Sequence, residues 1–63
     1  MTFHKVKASQ LRIGDKIKSI NTIYRITELE HTASEARVLL CHIRYGTQTY
    51  LAIDNHEKVK VID

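Results

Sequence analysis

Along this 63-residue chain, apolar and polar residues alternate over short runs, and turn-prone residues separate those runs. A period of two predicts strands. The first covers 3–7, where Val6 stands between Lys5 and Lys7. Ala8-Ser9-Gln10-Leu11 lacks the alternation and suits a single helical turn. A second strand is expected at 15–20, with Ile17 between Lys16 and Lys18. Asn21-Thr22 suits the connecting turn, since Asn tolerates positive φ. In 23–30, Tyr24 and Ile26 share a face, whereas Leu29 falls on the other parity. A β-bulge near Thr27-Glu28 inserts one residue and brings Leu29 back. The polar run 31–34 reads as a loop and 36–45 as a strand. Gly46-Thr47 reads as a two-residue hairpin turn, leading to a strand at 47–53. A turn at 54–56 and a closing strand at 58–62 complete the chain.

The stretch 33–45 also supports a helix. Thr32-Ala33-Ser34-Glu35 fits a capping box. Ala36, Leu39, Leu40 and Ile43 fall at helical spacing, and Gly46 suits the residue after a helix end. Strand is favoured because Val38, Ile43 and Tyr45 prefer strands. The flanking segments also read as strands with hairpin-length connections. The expected architecture is therefore all-β, a five-stranded SH3-like small barrel forming one domain over 1–63, with a mixed fold carrying a helix at 33–45 as the alternative. The expected core is Val6, Ile17, Ile26, Leu29, Val38, Leu40, Leu51, Ile53, Val59 and Val61.

Four short runs carry a resemblance: Leu11-Arg12-Ile13-Gly14-Asp15-Lys16-Ile17, Ile23-Tyr24-Arg25-Ile26, Leu29-Glu30-His31 and Ala36-Arg37-Val38. Together they resemble the SH3-like barrels of the KOW type, and most closely the N-terminal domain of the translation elongation factor P family. The resemblance covers 7–62 and implies a small barrel. That family carries a Pro-Gly-Lys loop whose lysine engages the ribosomal reaction centre. Here the loop is Thr32-Ala33-Ser34-Glu35. With no lysine there, the resemblance implies the fold and not that activity.

Composition narrows the function. Ten Lys and Arg against seven Asp and Glu give a net charge of +3. All six lysines lie in three copies of one pattern, Lys5-Val6-Lys7, Lys16-Ile17-Lys18 and Lys58-Val59-Lys60. In strands with Val6, Ile17 and Val59 inside, every ammonium points outward. If the first and last strands are neighbours, Lys5, Lys7, Lys58 and Lys60 cluster, and a phosphate backbone is the complementary partner. Arg44 and Tyr45 join them as a cation and a stacking ring, with Tyr50 expected close to Tyr45 across the hairpin. Lysines on exposed strands also serve simply to discourage edge-to-edge pairing.

A chain of this length has no room for a deep cleft, and its carboxylates are scattered, so no catalytic pair is expected. Adjacent Cys41 and His42 point to opposite faces of a strand and cannot share an ion; neither a metal nor a cofactor is expected. One cysteine, no apolar leader in the first residues and no apolar run of membrane length point to a cytoplasmic setting without membrane association. With Gly46-Thr47 as the turn, Ile43 would face Tyr50 and Cys41 would face Ala52. Leu39, Cys41, Ile43, Tyr45, Tyr50 and Ala52 then make a second apolar face, on which a homodimer or another protein could dock. The sequence thus predicts a small non-enzymatic binding module. RNA or DNA is the leading partner, and protein interaction or self-assembly through the hairpin face is the alternative.

Overall fold

The computed structural model describes residues 2–19 and 21–63. Six strands form in chain order: β1 (Phe3–Lys7), β2 (Lys16–Ser19), β3 (Thr22–His31), β4 (Glu35–His42), β5 (Gln48–Asp54) and β6 (Lys58–Ile62). A 3-10 turn, Ala8–Gln10, follows β1. All strand pairings are antiparallel, in the order β1-β6-β2-β3-β4-β5. The fold is all-β and barrel-like, with six strands rather than five and a sheet that does not close. No α-helix occurs among the described residues; 35–42 is strand. The β-branched and paired positions outweigh the local helical spacing there, because β4 is sandwiched between β3 and β5.

The bulge falls at the expected place. The β3–β4 register slips between Ile26 and Glu28, leaving Thr27 as the extra residue. Thr27 Oγ1 donates to Leu39 O at 3.2 Å. Ile26 and Leu29 consequently share the inner face. Ser19 pairs with Thr22, so Thr22 is already strand; Ile20, the expected last residue of β2, lies outside the described residues.

The inner face of the curled sheet buries Ile17, Ile26, Ala36, Val38, Leu40, Ile53 and Val61. Val6, Tyr24, Leu29 and Val59 pack against them half-buried. The 3-10 turn plugs one end, adding Ala8 and Leu11 to the core. Backbone bonds hold it there: Ala8 N donates to Glu57 O at 2.8 Å and Ser9 N to Asn55 O at 3.4 Å. Asn55 N in turn donates to Ser34 O. The Leu11-to-Asp15 motif serves this end too. Leu11 is core, Gly14 takes φ +96°, and Asp15 accepts a hydrogen bond from Arg12 N.

Leu51 departs from the expected core, at 47% exposed. It does lie opposite buried Val38. However, β5 is an edge strand, and the seam between it and β6 and β2 stays open as a groove of about 590 Å³. The total accessible surface, 4518 Å², exceeds the ~4,200 Å² expected at this mass, in keeping with an open seam.

Candidate nucleic-acid interface

The chain ends bring the lysines together. β1 and β6 pair in a register that sets Lys5 directly opposite Lys60 and Lys7 opposite Lys58. β2 flanks β6 on its other side and sets Lys18 opposite Lys60. Since Val6, Ile17, Val59 and Val61 face inward, every lysine side chain of the three K-x-K repeats emerges on the outer face. Arg25 extends the patch, pairing with Lys16 across β2–β3. Among the described residues, no lysine takes part in an ion pair.

Four of the seven carboxylates gather elsewhere, while Asp15, Glu57 and Asp63 stand at the ends of β2 and β6. Glu28, Glu30, Glu35 and Asp54 occupy outward positions of β3, β4 and β5, on the other half of the sheet. Arg37 is neutralised among them. Its Nε donates to Glu35 Oε2 at 2.8 Å and its Nη1 lies 3.6 Å from Glu30 Oε1. The Glu35 hydrogen bond, together with the charges of Glu35 and Glu30, raises the pKa of the Arg37 guanidinium. The outer face is thus split into a basic half and an acidic half, which a net charge of +3 conceals.

Phe3 sits inside the basic half. Lys60 Nζ lies 5.1 Å and Lys18 Nζ 5.8 Å from its ring centroid, within cation–π range. Compared with known proteins, the chain matches no family model and no curated protein.

Arg44 and Tyr45 lie at the β4–β5 hairpin tip, at the same end of the sheet as Lys5, Lys18 and Lys60. β2 and β3 intervene, so the tip stands roughly 14 Å from β6 at ordinary strand spacing. The row runs from Lys5 through Lys60 and Lys18 to Ile23, whose carbonyl accepts from Ile43 N. The hairpin itself differs from expectation. Cys41 pairs with Gln48 and Leu39 with Tyr50, four positions away from the register of a two-residue turn. His42 causes the difference. Its Nδ1 accepts from Arg44 N at 3.0 Å and from Tyr45 N at 3.1 Å, while His42 N donates to Thr47 O. The result is a loop over 43–46, with Gly46 at φ +72°.

Because the slip is even, each side chain keeps its face, but its neighbours change. Tyr45 packs on His42 with ring centroids 4.8 Å apart, while Tyr50 stands opposite Leu39, three rungs down the hairpin. The two tyrosines form no shared platform. Leu39 is 5% exposed and pairs with Glu28 on one side and Tyr50 on the other. Cys41 is half-buried, whereas Ile43 and Tyr50 are open to solvent. Of the expected second apolar face, Leu39 is thus buried and Cys41 half-buried within the chain itself, whereas Ile43, Tyr45 and Tyr50 stay exposed. Among the described residues, no three His, Cys, Asp or Glu side chains are grouped to hold a metal, and no helix is long and apolar enough to cross a membrane.

The sequence pattern points to Lys5, Lys7, Lys58 and Lys60, with Arg44 beside Tyr45, and not to Lys16, Lys18, Arg25 or Phe3. The signal for Lys16 and Lys18 was present in the second K-x-K repeat. What it lacked was the β2–β6 pairing, which no local feature encodes.

Proposed function

We propose that this protein is a small non-catalytic module that binds nucleic acid through the outer face of β1, β6 and β2. The observation that carries this reading is the pairing of Lys60 with lysines on both sides. Like charges directly opposite each other destabilise a sheet. Among the described residues no carboxylate forms an ion pair with these lysines, and a polyanion is the partner that converts the repulsion into attraction. No cofactor enters the proposal. Phosphate contacts position a strand without reading its sequence, so the module is expected to bind with little sequence preference.

Fluorescence anisotropy with labelled RNA and DNA across a salt series tests it. Contact with up to six lysines predicts a slope of log K against log salt as steep as roughly −4 for a single strand. No binding at low salt, or affinity indifferent to salt, would remove the mechanism.

A second reading, protein interaction or self-assembly, draws on the β5 edge. β1 carries lysines along its free edge, whereas β5 has neither lysine nor proline and exposes Tyr50 and Leu51. Sedimentation equilibrium of the wild type and Leu51→Lys distinguishes it. Self-association abolished by the lysine supports this reading, and a monomer at all concentrations counts against self-assembly.

A further inference from the structure

We propose that the nucleic acid bound by this face is single-stranded, and that Phe3 is the platform on which one of its bases stacks. This rests on the nucleic-acid reading above and adds the ligand's form and a residue that touches it. Phe3 opens β1 and lies on the same outer parity as Lys5 and Lys7, opposite Ile62. It is 44% exposed, an unusual setting for a phenyl ring that an inward register would have buried. Lys60 reaches its ring from the adjacent strand and Lys18 from the strand beyond. Both ammoniums approach the ring from the β6 side, so an exposed aromatic ring lies beside cations that can hold a phosphate backbone, the combination that single-strand binders use.

The shape of the face selects against a duplex. The sheet curls around its core, so the outer face is convex. A major groove admits an α-helix or a two-stranded ribbon. Among the described residues there is no α-helix, and the β4–β5 hairpin ribbon is separated by β3 from the lysine-bearing strands β1, β6 and β2. Against such a face a duplex offers only its phosphates, because its bases are stacked and paired. A single strand offers the same phosphates together with bases free to turn onto a ring. Every base has a π-face, so stacking on Phe3 is tolerant of sequence. Stacking on a phenyl ring and contacts to phosphate do not involve the 2′-hydroxyl, so RNA and DNA single strands are expected to bind alike.

The test compares a labelled oligo-uridine, the matching oligo-thymidine and a duplex of the same length, at one low salt concentration. The proteins are wild type, Phe3→Leu and Phe3→Trp, each checked for a native circular dichroism spectrum. Phe3→Leu keeps an apolar side chain of similar size without the aromatic face. Single strands are expected to bind wild type more tightly than the duplex does. Phe3→Leu should weaken single-strand binding about tenfold, toward the low end of the range for one stacked base, and leave duplex binding unchanged. Phe3→Trp should bind at least as well as wild type, with indole fluorescence quenched by the single strands. Equal losses on both ligands, no loss with Phe3→Leu, or tighter duplex binding would overturn the inference while leaving phosphate docking intact. Absence of binding by any of the three ligands would overturn both.

Discussion

Replacing Lys60 by glutamate should make the protein more stable and a poorer ligand for nucleic acid at once. Lys60 stands opposite Lys5 on β1 and Lys18 on β2. Each such pair shifts stability by about 0.2–1 kcal/mol in either direction according to charge. The side chains are largely solvent-facing, so the low end applies. Lys60→Glu turns two repulsive pairs into two attractive ones. It also forfeits the cation–π contact of Lys60 with Phe3, worth about 0.5 kcal/mol at an exposed site. At about 0.2 kcal/mol for each repulsion removed and each attraction gained, less the cation–π contact, the net expectation is a gain of roughly 0.3 kcal/mol at low salt, which in a domain this small raises Tm by about 1–2 °C. Urea titration and thermal melts, each at low salt and at 1 M salt, measure it. At 1 M the Debye length shrinks to about 3 Å, and the gain should vanish or reverse. In parallel, anisotropy should show weaker binding, with the salt slope shallower by about 1. A variant less stable than wild type at low salt, or a gain that persists at 1 M, would mean that the lysines do not repel one another as argued.

Two further perturbations probe the core and the hairpin. Ile26 is fully buried and Leu51 is 47% exposed, so Ile26→Ala should cost at least about 2 kcal/mol in urea titration, whereas Leu51→Ala should cost under about 1 kcal/mol; equal costs would mean that the seam is closed in solution. Gly46 has φ +72° and open space where a Cβ would stand, so Gly46→Ala should cost about 1–2 kcal/mol through backbone conformation alone. Gly46→Asn should cost less, because Asn tolerates the left-handed region, and the same titration ranks the two.

Local pattern alone determined the strands and much of their facing. Side-chain alternation has a period of two, so Val6, Ile17 and Val59 inside required six lysines outside. The parity conflict between Ile26 and Leu29 required an extra residue, and Thr27 is that residue. The neighbourhood of β1 and β6 was legible only as a property of the barrel class, and it holds in the register that sets Lys5 against Lys60. Tertiary structure decided the rest. The helical spacing of 36–43 gave way because β4 pairs on both sides, a long-range fact that outweighs local propensity. The hairpin register turned on His42, whose ring caps the 43–46 loop, and side-chain capping at that distance leaves no trace in alternation. Leu51 has the parity of a core residue, yet burial depends on whether a strand lies beyond β5, and among the described residues none does. Ala8 and Leu11 reached the core because the 3-10 turn folds back onto the far end of the sheet. Lys18 and Phe3 joined the basic face by the same logic. Alternation says which way a side chain points, while strand order, set by contacts between residues distant in the chain, says what it meets there.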